Sequence, residues 1–466
     1  MATCTWDGGT DNWNDAANWN TDGATDRVPI TGDDVVINTD GATVTLDDHI
    51  GGGQTNTGLG SLTITAGTLQ TNDGSNRMLK VTGVTSITGI LNCTGSDIFL
   101  GDDVDDAYSV VVNSGGTFTG GTGTHKLGAI SVNSGATNFT FSSGNTTITG
   151  RATSGNSRRV LSTSATDRIT AAGTLIIDQA RTPLSIRCDD TTGINNLTMN
   201  CGTGRVLHID NDLTVGGILN VSAGTVNTRN IGDSVDNDLT VVGQCNLAGT
   251  LICNSSDISV ASGLTNSLGM RVQTNGTLTG GSGTHTYGTF NADASGTVNA
   301  TLTSGLTKIN GTYTDGIAWG LRNGVTFSAG GGDIEFKGSA NQYLYERNNT
   351  ARSLGDFKVN KSSGTLQWYN SGGAHYTMAS LSIDSGTYTS VEHTSGTSKD
   401  LTVSGELNVS GTMSCGAATI TARNLLLAAG NFYAPSSSGL LVLTGEGNSG
   451  SGDGYVFRRT GGSFTH

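Results

Sequence analysis

"AISVNSGATNFTFSSGNTTITG", residues 129–150, holds three short runs in which Ile, Val or Phe alternates with Ser, Thr or Asn, separated by Ser-Gly pairs. Alternation with a period of two places one face of a strand in a core and the other face in water. Glycine at the breaks supplies the positive φ that tight corners need. The same rhythm recurs in "SLTITAGTL" (61–69) and "LTVGGILNVSAGTVNT" (213–228), so the sequence predicts an all-β chain of short strands and turns.

Composition narrows the class of protein further. The chain has 71 Gly but 3 Pro in 466 residues, which excludes collagen and proline-rich disorder. Its net charge of −14, with 24 Lys and Arg spread over the whole length, argues against nucleic acid as a partner. The N-terminus has no signal peptide pattern and no apolar run is long enough for a bilayer, so we expect synthesis in the cytoplasm and no membrane partner.

A long internal repeat is the second organising feature. "GTFTGGTGTH" (116–125) returns as "GTLTGGSGTH" (276–285), and Cys93, Cys253 and Cys415 recur with the same period of about 160 residues. We therefore divide the chain into a capping segment, 1–59, two repeats, 60–217 and 218–379, and a partial third repeat, 380–466.

Two architectures fit short strands with such regular turns, a β-solenoid and an array of β-sandwich domains. A sandwich of about 100 residues would not produce this period. We predict a right-handed parallel β-helix with turns of about 20 to 25 residues.

The repeated cysteines and histidines are interpreted as scaffold residues. Each cysteine lies among apolar residues of a predicted strand, which favours a small buried side chain. His125, His285 and His466 end the repeated motif, the last in "TGGSFTH" at 460–466. Since the third motif is followed by no further strand, we expect a partner or another copy of the chain to bind there.

The N-terminal stretch "CTWDGGTDNWNDAANWNTDGATDRVPITGDDVVI" (4–37) carries Trp6, Trp13 and Trp19 ahead of a Gly-Asp-Asp-Val motif. It resembles the W…W…NW…P…GDDV entry segment of β-helical adhesin-like and phage surface proteins. The resemblance implies a cap without chemistry, and three Trp suit an apolar lid over an open sheet edge. A sugar-binding aromatic cluster is the alternative.

Acidic clusters are the candidates for metal binding or catalysis. The densest is "GDDVDDAY" (101–108), whose carboxylates are either a weak calcium site, a solvated turn or a catalytic group. These carboxylates belong to Asp102, Asp103, Asp105 and Asp106. A second group, Asp189 and Asp190 beside Arg187, has the composition of a general acid and base but lacks a supporting histidine. We predict no catalytic residues and no cofactor apart from this calcium candidate.

The stretch 341–377 differs from its surroundings because aromatic and basic residues are concentrated in it. Such residues suit a glycan platform, a subunit interface or packing of a wider turn. The ligand or interface candidates are Tyr343, Tyr345, Arg347, Arg352, Trp368, Tyr369 and Tyr376, with Lys358 and Lys361 nearby.

Three functions fit these observations. The first is a non-enzymatic structural or adhesive solenoid on a virion surface, such as a phage capsid decoration protein or a fibre. The second is a bacterial surface adhesin or passenger fragment, located outside the cell, which needs an export signal. The third is a polysaccharide lyase or hydrolase, which needs acids clustered in a groove. We favour the first, as a homo-oligomer, with a trimer preferred, whose partners are other virion proteins and a cell-surface glycan.

Overall fold

The computed structural model describes residues 1–22, 25–50, 58–101, 107–154, 157–163, 169–170, 172–189, 193–265, 267–293, 296–322, 324–346, 352–369, 376–446 and 455–466. Strands account for 52% of the structure and helix for 1%, which confirms the all-β prediction. The strands form parallel stacked coils, a β-solenoid of about 15 turns. The alternative of β-sandwich domains is wrong, because strands from successive turns pair in parallel. The right-handed winding stays a prediction.

The chain divides into two compact units, Met1–Leu239 and Thr240–His466. This boundary lies inside the second predicted repeat. The limits 1–59, 60–217, 218–379 and 380–466 describe sequence periodicity and stay predictions.

Strands of the first unit belong to three sheets. The first sheet consists of Trp19–Thr21, Thr3–Trp6, Asp34–Ile37, Ser61–Ile64, Thr85–Ile87, Val110–Val112, Ile130–Val132, Ser157–Thr163 with Ala152–Ser154 beside it, Leu184–Arg187, Val206–Ile209 and Thr225–Asn227. The second consists of Asp11–Asn12, Thr43–Thr45, Thr68–Gln70, Ile90–Asn92, Thr117–Thr119, Asn138–Thr140 and Ile169–Thr170. The third consists of Leu79–Val81, Ile98–Leu100, His125–Leu127, Asn145–Ile148, Thr174–Ile177, Asn196–Asn200, Leu213–Val215 and Leu219–Ala223.

Strands of the second unit also lie on separate faces. Face 1 consists of Cys245–Leu247, Met270–Val272, Phe290–Ala292, Ile317–Leu321, Gln342–Glu346, Thr412–Ser414, Asn431–Tyr433 and Ser463–Thr465. A second ladder contains Thr250–Ile252, Thr277–Thr279, Val298–Thr301 and Val325–Ser328. A third contains Ile258–Val260, His285–Tyr287, Leu306–Ile309, Asp333–Gly338 and Phe457–Arg459. A fourth contains Arg352–Ser353, Tyr376–Met378 and Leu441–Leu443.

Four long strands of the second unit turn a corner, so their two halves pair on different ladders. They are Asp356–Trp368, Ser380–Thr389, Leu401–Val409 and Ile420–Leu427. The strand Leu239–Val241 contains the residues at which the two units divide. Among the described residues, short 3₁₀ helices are Ala16–Asn18 and Thr314–Gly316.

Pairing in register stacks equivalent side chains directly on one another. Phe118 pairs with Phe139 on the next turn, and their rings stack with centroids 4.8 Å apart. Phe290 and Trp319 repeat this arrangement in the second unit, again at 4.8 Å. This distance matches the spacing of adjacent strands, so the core is built from columns of side chains.

The three N-terminal tryptophans form a buried cluster, which confirms the predicted cap. Trp19 contacts Trp6 and Trp13 edge to face, with ring centroids 5.0 and 4.6 Å away. The Trp19 indole donates to the Trp13 carbonyl at 2.7 Å. The strand Trp19–Thr21 pairs antiparallel with Thr3–Trp6 at the end of the first sheet. Edge-to-face packing of these large rings adds to the stability from burying them.

Asp33 of the Gly-Asp-Asp-Val motif is the polar centre of the cap. Its buried carboxylate accepts hydrogen bonds from the backbone N–H groups of Ala2 and Ile30, both at 3.0 Å, and contacts the Arg27 guanidinium at 2.6 Å. Burial by itself raises the pKa of Asp33, but the bonds from Arg27, Ile30 and Ala2 outweigh it and hold this pKa well below its usual range.

The repeated motif contains glycines because it forms a tight corner between two strands. Gly121 has a φ of +66°, and a Cβ built on it would lie 1.4 Å from the Thr94 carbonyl oxygen of the preceding turn. Gly281, 160 residues later, has a φ of +75°, and its Cβ would lie 1.5 Å from the Asn254 oxygen. Each corner therefore requires glycine for both its backbone conformation and its close contact.

The predicted core roles of the repeated cysteines are confirmed. All seven cysteines of the chain are buried, and no disulfide bond joins any two of them. Burial raises the pKa of the Cys93, Cys253 and Cys415 thiols, the last to about 12, so they stay protonated at neutral pH.

Histidine fills the same core position in two of the three copies. His125 pairs with Ile98 and His285 with Ile258, and both imidazoles are fully buried. Burial lowers the pKa of both His125 and His285 to about 4. These side chains are therefore neutral core residues at pH 7.

The predicted equivalence of His466 is wrong. The strand partner of Ile420, which follows Cys415 as Ile98 follows Cys93, is Leu441. His466 is exposed, and the preceding strand Ser463–Thr465 pairs with Asn431–Tyr433, one turn beyond the repeated motif. The segment between the two paired strands is shorter in the third copy, so residues that match in sequence lie at different positions of the solenoid. Binding of a partner at this end stays a prediction.

Asp33→Asn should destabilise the first unit at pH 7 by about 1–3 kcal/mol, because Asn loses the charge that Arg27 and two N–H groups stabilise. A carboxyl whose pKa is lowered on folding stabilises above its unfolded pKa, near 4, and this contribution is lost as the pH falls below it. Urea unfolding of both proteins at pH 7 and pH 2.5 should show the difference shrinking in acid. An equal difference at both pH values would contradict this role of Asp33.

Gly121→Ala should destabilise the first unit far more than Gly202→Ala. Gly202 also has a positive φ, +78°, but a Cβ there would meet nothing within 4 Å. The control variant should therefore cost about 1–2 kcal/mol from backbone strain alone, while Gly121→Ala adds a clash with the backbone and should exceed about 4 kcal/mol. Similar unfolding midpoints for the two variants would show that the corner is not close-packed.

His125→Leu, which copies the residue of the third repeat, should remove a pH dependence from stability. A histidine whose pKa falls on folding stabilises the fold above its unfolded pKa, near 6.5, and the stability declines as the pH drops from there to about 4. Between pH 7 and pH 4 the unmodified chain should lose about 2–3 kcal/mol more than the variant. His466→Leu is the control, and parallel pH profiles for the chain and His125→Leu would refute a buried neutral His125.

Candidate functional site

The aromatic and basic residues predicted as a ligand or interface surface separate into two groups. Trp368 and Tyr376 are buried, and their rings stack with centroids 4.7 Å apart. The Trp368 indole donates to the Tyr388 hydroxyl at 3.3 Å. These two side chains pack in the interior of the coil, as the packing alternative expects, and are not available as ligand or interface residues. Arg347 lies outside the described residues.

Arg352 and Lys361 also have internal contacts. The Arg352 Nε lies 3.4 Å from the buried Glu346 carboxylate, which in turn accepts a 2.6 Å hydrogen bond from the Tyr376 hydroxyl. Lys361 is buried and donates from Nζ to the Gln342 side-chain oxygen at 2.7 Å. Burial lowers the pKa of Lys361 to about 8. Lys358 forms a surface ion pair with Asp384 at 2.7 Å.

The remaining tyrosines, the buried Tyr343 and the partly exposed Tyr345 and Tyr369, contact an exposed histidine, and we call this group the aromatic cluster: Tyr343, Tyr345, Tyr369 and His393. The Tyr343 ring stacks on the exposed His393 at 4.4 Å, and Tyr369 lies 5.7 Å from Tyr343 and 5.9 Å from Tyr345. His393 was missed from sequence, although it follows Tyr369 by 24 residues, about one turn of the solenoid.

A cleft of about 220 Å³ lies beside this cluster on face 1. Strand register places Arg271, Asn291, Gly320 and Tyr345 at one position of four successive strands. Gly320 has no side chain, and a Cβ on it would lie 2.4 Å from the Asn291 side-chain oxygen. The Asn291 amide therefore lies over Gly320, in the space that a side chain at position 320 would occupy, and Asn291, Gly320 and Tyr345 together line the floor of the cleft.

Charged side chains form one wall of the cleft. Asp293 accepts at Oδ2 from Arg271 at 3.1 Å and contacts Arg322 through Oδ1 at 3.0 Å. The Arg271 and Arg322 side chains are 34% and 46% exposed, so their guanidinium groups are accessible from solvent. Two cations and one anion leave the wall with a net positive charge, although the whole chain carries −14. Sequence reasoning missed all three residues.

Apolar and aromatic side chains complete the cleft. Leu268, Ala292 and Ile317 line it together with the rings of Tyr313 and Tyr345. Tyr345 also contacts Tyr369, so the cleft and the aromatic cluster form one continuous surface. Rings with flanking polar groups and guanidinium donors are suited to hold a polar ligand that also has an apolar face.

The two acidic candidate sites lie only partly within the described residues. Asp102, Asp103, Asp105 and Asp106 lie outside the described residues, as does Asp190. The Asp189 carboxylate accepts from Arg187 at 3.2 Å and from the Asn211 amide at 3.0 Å, which stabilises a turn. Where side chains are described, no group of three or more His, Cys, Asp or Glu residues is placed to hold a metal ion.

No family model, curated protein or solved structure matches the chain. Within the described ranges, no helix has the length and hydrophobicity needed to cross a membrane.

Proposed function

We propose that the chain is a non-enzymatic, adhesive β-solenoid displayed in several copies on a virion surface, as a decoration protein or fibre. In this role the coils hold a ligand-binding surface in a fixed geometry, and several copies raise the avidity of individually weak contacts. The similarity of residues 4–37 to the entry segment of phage surface and adhesin-like solenoids supports this assignment.

The observation that carries the adhesive role is the continuous surface formed by the cleft and the aromatic cluster. Arg271, Asn291, Gly320, Tyr343 and Tyr345 lie on strands paired in register, so backbone hydrogen bonds to neighbouring strands fix the positions of these residues. A site built on rigid strands needs little ordering when a ligand binds. A glycan is the ligand class that best fits partly exposed tyrosine rings beside amide and guanidinium groups.

Tyr345→Ala and Tyr369→Ala should each weaken glycan binding by about fivefold to tenfold, because a ring that stacks on a sugar is lost. The measurement is a glycan array with the full chain, followed by titration of the strongest glycan. Tyr433→Ala is the matched control, since Tyr433 is 45% exposed on another strand of face 1. Equal losses for all three variants, or no glycan bound at all, would contradict the adhesive role.

The same titrated samples test the non-enzymatic assignment. A glycan incubated with the chain should keep its chain length, with no new reducing or unsaturated ends. Time-dependent release of such ends would instead identify a lyase or hydrolase.

Immunogold electron microscopy tests display on the virion. An antibody raised against the full chain should label intact particles from the source culture. Labelling confined to the outer surface of cells would replace the virion assignment with a bacterial adhesin.

A further inference from the structure

We propose that the cleft binds the carboxylate of an acidic sugar, such as a uronic acid, between the Arg271–Asp293–Arg322 wall and Tyr345. This inference rests on the proposed adhesive function and adds the chemical class of the ligand and its place on face 1.

The arginine wall supplies the charge recognition. Each guanidinium has five N–H donors and contacts Asp293 through a single terminal nitrogen in the contacts given above, so each can present further donors to a ligand. Asp293 fixes both groups in position, which reduces the rotamer freedom that a ligand would otherwise have to freeze. The net positive charge of this wall favours an anion, and a guanidinium matches the planar, two-oxygen geometry of a carboxylate.

The opposite wall favours a sugar over an inorganic anion. Tyr345 and Tyr313 present rings to the cleft, and Leu268 and Ile317 add apolar surface. Free phosphate or sulfate has no apolar face to place there, whereas a pyranose ring has C–H groups on its faces and hydroxyls at its edge. The Asn291 amide at the floor can donate to or accept from one such hydroxyl.

The dimensions favour a single ring. Asn291 and Tyr345 are separated by two strand spacings, about 10 Å, with Gly320 between them. A cleft of about 220 Å³ is smaller than the roughly 300–1,000 Å³ of drug-sized sites, so the bound unit is one sugar of a longer glycan. The rest of that glycan would extend across Tyr345 toward Tyr369.

The test compares D-glucuronate with D-glucose, which differ in the carboxylate, by NMR or calorimetric titration of the full chain. Glucuronate should bind at least about fivefold more tightly than glucose. Arg322→Gln should abolish this preference and leave glucose binding unchanged, whereas Gly320→Val should weaken both sugars by filling the floor. Arg423→Gln is the charge-matched control on another strand, and circular dichroism checks that each variant folds.

The outcomes separate the two proposals. Equal binding of glucuronate and glucose, both sensitive to Tyr345→Ala, would overturn the carboxylate site and keep the adhesive function. Binding of neither sugar, together with a blank glycan array, would overturn both. Equal competition by inorganic phosphate or by single-stranded DNA would show a general anion or nucleic-acid surface and would also overturn the acidic-sugar site.

Discussion

Parallel pairing in register is the constraint on which the rest of the structure depends. Each residue of a strand lies directly over one residue of the next turn, so a position becomes a column with a spacing of about 4.8 Å. The turns approach so closely at their corners that Gly121 and Gly281 have no room for a Cβ beside the carbonyl oxygens of Thr94 and Asn254. A change in register would move every column at once.

The same constraint builds both the core and the candidate site. On the inner face, large residues fill each column, as the Phe118–Phe139 stack illustrates. On the outer face of Ile317–Leu321, Gly320 leaves room for the Asn291 amide, and both residues line the cleft with Tyr345. The site therefore combines strand residues at one register position with residues of the adjoining turns, among them Asp293 and Arg322.

Alternating residues and glycine corners were sufficient to predict the solenoid, apolar neighbours in the repeat predicted the buried Cys93, and three closely spaced Trp in a recognisable entry segment predicted the cap. The number of residues per turn varies along the chain, and this variation limited the prediction of which residues are equivalent or in contact. His125 lies 27 residues after its partner Ile98, whereas Leu441 lies 21 residues after Ile420. Similarity of the motif in sequence therefore pointed to His466, which lies one turn beyond the equivalent position. Arg271 and Asp293 are 22 residues apart, and no motif in the sequence marks them as partners. The strand register brings their side chains together beside Arg322.

An experimental structure of the full chain soaked with glucuronate tests the central claim most directly, because it locates the ligand and establishes the strand register of the cleft in one measurement. We expect the sugar in the cleft between Tyr345 and the charged wall, with its carboxylate against the guanidinium groups of Arg271 and Arg322. A cleft closed by a different strand register, or glucuronate bound elsewhere with the cleft empty, would contradict the account.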